Sequence, residues 1–258
     1  MSTVAPIRPT RDSRISDEEW QIRVDLAACY RLVSHYGWDD LIFTHISARV
    51  PGPEHHFLIN PYGLHFSEIT ASSLLKVDLQ GNKLLDSPYP FNAAGFTIHS
   101  AMHMARADAH CVIHLHTDDG VAVSAMEGGL LPFSQTSMQV CGDLAYHEYE
   151  GPALNHAERE RLQSDLGDKH CMLLWNHGTL AIGSTVPEAF VRMYFFERAC
   201  SMQVRAMAGG RLHMPSQAVI DSTVACARQM NQDSRAITDL AWPAMLRLLD
   251  RQDTGYRT

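Results

Sequence analysis

From about residue 17 onward, apolar positions alternate between helical and strand periodicity. Asp17 is placed to cap a helix running to about His35, in which Ile22, Leu26, Ala27, Tyr30 and Val33 share one face and Gly37 ends the run. Two β-rich stretches follow, residues 41–50 and 56–60, joined by the turn Pro51-Gly52-Pro53. Residues 70–73 read as a short helical turn, residues 74–79 as a strand, and Gln80-Gly81-Asn82 as the turn of a hairpin. Residues 93–105 are expected to be helical, 111–116 a short buried strand, and 118–126 a helix closed by Gly128-Gly129. The second half repeats the alternation. It gives an amphipathic helix over 157–166, strands over 171–175 and 179–182, and a helix from about Pro187, where a first turn tolerates proline, to about Ala208. Residues 218–247 hold one or two more helices.

Strands mixed with helices, with no repeat and no low-complexity linker, predict one α/β domain over residues 17–250: a central sheet covered by helices. Residues 1–16, with Pro6, Pro9 and scattered charges, read as a flexible arm. At 258 residues the chain can bury a large core without disulfides or metals as staples. The net charge of -8 argues against a nucleic-acid partner, because no basic footprint is offered to phosphates. No run approaches the roughly 18–20 apolar residues that span a bilayer, so no membrane role is expected. The first twenty residues contain no apolar core of a secretion signal. Six isolated cysteines, mostly in apolar runs, suggest free buried thiols and a cytoplasmic setting.

Fifteen histidines give the chain its candidate chemistry. His114 and His116 bracket Leu115 at the end of a strand, and side chains two apart share a face, so the pair can chelate. The plain alternative is two polar residues facing water at a strand end. His177 stands in Trp175-Asn176-His177-Gly178 just after another apolar strand, and Gly178 permits a sharp turn that could aim the imidazole over the sheet end. The alternative is a turn histidine at a strand exit. His99 and His103 lie i, i+4 on a helix but lack the intervening glutamate of a zincin, so one of them facing the site is the better reading. His147 and Glu148 could act as general acid or base, or could line a solvated strand edge. His55 and His56 follow a turn and read as exposed, and His35, His110, His156, His170 and His213 read as surface residues. Phosphate-binding loops, dinucleotide fingerprints and GxSxG elbows are absent, which removes nucleotide and serine-hydrolase readings.

Taken together, several strings resemble the class II aldolase/adducin family, over roughly residues 20–240 and closest to its adducin-like branch. They are Val-Ile-His114-Leu-His116, Asn176-His177-Gly178, Ala94-Gly95-Phe96-Thr97-Ile98-His99-Ser100, Thr44-His45-Ile46-Ser47-Ala48-Arg49, Asn60-Pro61-Tyr62-Gly63-Leu64 and Gly142-Asp-Leu-Ala-Tyr146-His147. The resemblance implies a three-layer αβα sandwich, one divalent metal ion held by His114, His116 and His177, and a homo-oligomer, usually a tetramer, with sites near subunit contacts. It also exposes departures. In the sugar-phosphate aldolases a glutamate one helix before the paired histidines is fourth ligand and acid/base; here that position falls at or beside Gly95. Small hydroxyl residues that hold the substrate phosphate are replaced by Ala93 and Ala94, and a Gly-Asn motif with the same duty by Thr44-His45.

The expectation is therefore a lyase that cleaves C–C bonds or decarboxylates a non-phosphorylated small molecule. Its metal is Zn²⁺ first, with Fe²⁺, Mn²⁺ or Co²⁺ as alternatives. Proton-carrying candidates are His99, Tyr62, His65 and Glu148. The competing readings are a non-haem iron oxidative decarboxylase and a non-catalytic, actin-associated oligomerisation module of adducin type. A tetramer is also suggested by apolar residues on more of the circumference of the helix near residues 190–198 than one amphipathic face requires, and by the charge-poor stretch 128–138.

Overall fold

The computed structural model describes residues 11–151, 158–230 and 235–258. Residues 1–10 of the expected arm, His156, and the side chains of Ala93 and Ala94 lie outside the described residues. Helix α1 spans Asp17–His35, but its N-cap is Ser16, whose hydroxyl accepts from the Glu19 amide at 3.1 Å. Asp17 falls instead into the acidic first turn, where the helix dipole favours negative charge.

Strand β1 is confined to His45–Arg49, because Leu41 and Thr44 adopt positive φ (50° and 61°) and break the preceding extension. Strands β2 (Phe57–Ile59) and β3 (Leu75–Val77) follow. A 3-10 turn at Phe66–Glu68, capped by His65, precedes the tighter turn at residues 71–73. Next come helix α2 (Ala93–Ala105), strand β4 (Cys111–Leu115) and helix α3 (Asp118–Ser124), the last capped by Thr117. Helix α4 (Gln135–Cys141), which begins at a Ser134 capping box, has too few charges for its pattern to separate it from a loop. Strand β5 (Leu144–His147), helix α5 (Glu158–Leu166), and strands β6 (Cys171–Leu174) and β7 (Gly178–Gly183) complete the sheet region. Helix α6 (Val186–Ala208) starts at a Thr185 cap with proline in its first turn. Helices α7 (Gln217–Met230) and α8 (Trp242–Asp250) end the chain, α8 entered through a π turn at Ala236–Ala241. Packing continues past residue 250: the amides of Ala71 and Ser72 donate to the carbonyls of Tyr256 and Thr258, both at 2.9 Å, and Tyr256 is buried.

The seven strands form one mixed sheet in the order β3-β2-β1-β4-β7-β6-β5, with β5 and β6 parallel and every other pair antiparallel. Alternation along β4 divides the core. Cys111, Ile113 and Leu115 join Leu26, Tyr30, Phe190 and Phe196 of α1 and α6, while Val112 joins Ile98 and Met102 of α2 and Leu162 and Leu166 of α5. The result is an α/β sandwich with helices on both faces of the sheet. Tyr30 pins α1 to β1: its hydroxyl accepts from the Ile46 amide at 2.8 Å and donates to the carbonyl of the same residue. Buried Arg23 donates to Glu19 (2.9 Å) and to the Leu74 carbonyl (2.8 Å), tying α1 to the approach to β3. Among the described residues no helix is long and apolar enough to cross a membrane.

Candidate metal centre

β4 has neighbours on both sides, and its last residues reach the end of the sheet beside the β6–β7 turn. There His114, His116 and His177 bring one ring nitrogen each to within 4.8 Å of one another. Their ring centroids are 4.7–4.8 Å apart. Leu115 between the first two points into the core, as alternation requires. The turn that delivers His177 differs from the expected one. Asn176, not Gly178, takes the positive φ (55°), and asparagine tolerates it better than most residues. Gly178 serves close approach: a Cβ there would lie 2.3 Å from the Leu115 carbonyl oxygen. Asn176 is further held by its amide, which donates to the Ser124 carbonyl at 3.0 Å.

Each ring has its own backing. His114 Nδ1 lies 3.0 Å from the Thr179 carbonyl, which fixes the hydrogen on Nδ1 and frees Nε2. His116 Nδ1 lies 3.2 Å from Asp40 Oδ2, the carboxylate–imidazole arrangement that orients a ligating histidine. The two Nε2 atoms are then 3.0 Å apart, close to the roughly 3.3 Å expected between donors on a tetrahedral ion with bonds near 2.0–2.1 Å. Burial holds His114 well below the ordinary imidazole range and lowers His177 to about 4, so both are neutral, as ligands must be. Donor type, spacing and protonation all fit a divalent first-row ion.

Beneath the triad, Glu197 of α6 is fully enclosed. It accepts from the hydroxyls of Thr117 and Thr179, each at 2.5 Å, and loss of water pushes its carboxyl up to about 7. Thr117 follows His116, and Thr179 also supplies the carbonyl behind His114, so this carboxyl braces both strand ends. Its sequence signal was an acid placed directly after the apolar pair Phe195-Phe196. A cavity of about 460 Å³ opens beside His116, bordered by Asp39, Asp40, Thr117, Tyr194 and Arg198.

The remaining candidates scatter. His99 is buried on α2, with Nδ1 2.6 Å from the Ser47 hydroxyl. His65 is engaged on both nitrogens, Nδ1 with Ser67 at 2.7 Å and Nε2 with Asp39 at 2.5 Å, and so works as a helix cap tied to the cavity rim. Half-buried Tyr62 meets Phe43 at a tilt, 6.3 Å between ring centroids. Glu148 is exposed beyond β5, and it is the next residue, Tyr149, whose ring comes within 5.8 Å of His177. His147 lies on an edge strand, as expected, but is buried, with Nδ1 2.7 Å from Asp165.

A sandwich with a histidine triad at the end of a central strand defines a class that comparison identifies. Residues 24–204 match the family described as Class II Aldolase and Adducin N-terminal domain, and the chain belongs to that family. A protein of Caulobacter vibrioides, provisionally named an aldolase class 2 protein, is 58% identical over 245 residues, 94% of each chain. Alpha-adducin of Mus musculus is 40% identical over 98% of this chain, which spans only 36% of the adducin. The crystal structure of an aldolase II superfamily protein from Pseudomonas syringae superposes with a TM-score of 0.89 at 48% identity, covering 95% of this chain and 98% of that one.

Proposed function

We propose that this chain is a divalent-metal-dependent lyase acting on a non-phosphorylated carbonyl or hydroxy-acid substrate by C–C cleavage or decarboxylation. The observation that carries this reading is the triad itself: three imidazoles converge at a strand end, two of them backed by acceptors in the manner of metal ligands. His114, His116 and His177 hold the ion, which supplies Lewis-acid polarisation of a carbonyl when bound. Asp40 orients His116, and Glu197 with its two threonines keeps the strand ends in register. The cavity beside His116 admits a small molecule. Zinc is the first choice for this donor set, with iron, manganese and cobalt as alternatives. Buried thiols at Cys29, Cys111, Cys171 and Cys200 suit the cytoplasm.

Gly95 removes the aldolase carboxylate and Ala93 and Ala94 the phosphate-holding hydroxyls, so phosphorylated sugars are not the intended substrates. Metal analysis of the purified protein, followed by NMR of zinc- and iron-loaded samples with a panel of 2-oxo and 2-hydroxy acids, tests the reading. Stoichiometric metal and turnover of a panel member are expected. Turnover of fuculose, rhamnulose or ribulose phosphates near ~10 per second would contradict it.

The likeness to alpha-adducin supports a second reading, a non-catalytic oligomerisation module. A metal-free protein with no small-molecule turnover would favour it.

A further inference from the structure

Between the sheet and α2 lies a row of histidines that the metal triad does not use. In the register of β1 on β4, His45 stands directly opposite His114 and Ser47 opposite Val112. Directly opposed residues project from the same sheet face, so His45 and His114 rise side by side toward α2. His45 is 4% exposed, and its Nε2 has no hydrogen-bond partner. A buried polar nitrogen without a partner is unfavourable, so an occupant that satisfies it is expected.

Position 95 explains why His45 can sit there. A Cβ on Gly95 would lie 2.2 Å from His45 Nδ1 and 2.4 Å from Cε1. The imidazole therefore fills the space into which any side chain at position 95 would grow, and the two positions exclude each other's larger residues. Thr44, which delivers His45, holds φ at 61°, a conformation that a β-branched residue adopts only under constraint. The neighbouring chain is fixed in sense. His103 Nδ1 donates to the Ala109 carbonyl (2.6 Å), so its Nε2 accepts from the Ser47 hydroxyl (2.7 Å), and Ser47 accepts from His99 Nδ1 (2.6 Å). His99 Nε2 is left as a bare, buried acceptor, its ring 5.9 Å from that of His45.

We propose that His45 makes the polar contact to a carboxylate-bearing small molecule held at the three histidines, in the place that a side chain at position 95 would otherwise take. The charge balance selects the ligand class. Three neutral imidazoles leave both positive charges of a divalent ion uncompensated, and Asp40, acting through His116, offsets only one. An anionic chelator such as a 2-oxo or 2-hydroxy acid supplies the rest. A neutral imidazole can hydrogen-bond to it through Nε2 without the repulsion that a glutamate at position 95 would exert. This inference rests on the metal reading above.

The test uses the full chain loaded with Co²⁺, metal content measured by elemental analysis, and oxalate as the probe, titrated by calorimetry. His45→Phe preserves ring volume and removes the nitrogen, while His45→Gln restores a donor. The expected result is unchanged cobalt stoichiometry in all three proteins, oxalate binding at least tenfold weaker in His45→Phe, and partial recovery in His45→Gln. Equal oxalate affinity in all three, or no oxalate binding by the cobalt-loaded parent, overturns the proposal. A second arm needs no metal. Gly95→Ala should lower the melting temperature of the parent and should be tolerated in a His45→Ala background; an equal penalty in both backgrounds overturns the placement of His45. Failure of the parent to bind cobalt counts against the metal centre alone, since the second arm still reads the packing of His45 over position 95.

Discussion

At the scale of single residues, burial has set opposing titrations close together. Desolvation pushes His45 down to about 4 and His103 to about 3, while it pushes Glu197 up to about 7. For each histidine the unfolded chain takes its proton near 6.5 and the folded one only near 3–4, so folding stability is full above 6.5 and is lost as pH falls below it. Glu197 has the opposite sign: its stabilising contribution is full below about 4.5 and is lost as pH rises toward 7. Each histidine contributes on the order of 2 kcal/mol between pH 6.5 and 5, and together they outweigh the one carboxyl. Metal-free protein should therefore unfold at lower urea at pH 5 than at pH 7, and Glu197→Gln, which removes the offset, should widen that gap. Urea midpoints at the two pH values check this; an unchanged gap in the variant would show that Glu197 does not titrate as its burial implies.

At the scale of elements, β4 shows that the site and the core can be separated. His114→Ala should abolish stoichiometric metal binding yet leave far-UV circular dichroism unchanged, because Val112, Ile113 and Leu115 still fill both core faces. A collapse of the dichroism signal would mean that His114 holds the strand and not an ion. The same strand shows what the sequence made legible. Period-two alternation and the apolar run placed Cys111–Leu115 almost to the residue, and with it the shared direction of His114 and His116. Helices α1, α2 and α6 were likewise readable from periodicity, and α6 also from the proline in its first turn, whereas the cap of α1 falls one residue before the expected Asp17. Helix α4 was not, since a seven-residue helix gives two turns of pattern and little charge contrast. The contact of His45 with Gly95 was out of reach too, because nothing in either segment encodes the register of β1 on β4. Nor could local pattern reveal that Glu197 braces Thr117 and Thr179 from a helix so far along the chain.

At the scale of the whole molecule, the apolar excess of α6 is mostly spent inside: Phe190, Met193 and Phe196 are buried, as are Leu130 and Met138 from the stretch 128–138. What remains on the surface of α6 includes Phe195 at 43% exposure, a smaller remnant than the sequence suggested. The tetramer expectation rests on the resemblance read from the sequence and not on this surface. Light scattering at micromolar concentration should return about four times 28.8 kDa, and a mass that stays at 28.8 kDa on concentrating the sample would make each site the work of one chain. The sheet order has a thermodynamic consequence of its own. Of the three donors, only His114 and His116 are neighbours in the unstructured chain; His177 joins them only when β7 has docked against β4. An ion bound by all three would therefore distinguish the finished sheet from every looser state, and would stabilise the former by about 1.4 kcal/mol for each tenfold excess over its dissociation constant. The midpoint of thermal unfolding should climb steadily with free zinc in a buffered series and fall back on adding chelator, so that the melting curve itself becomes a gauge of how tightly the closed triad grips its ion.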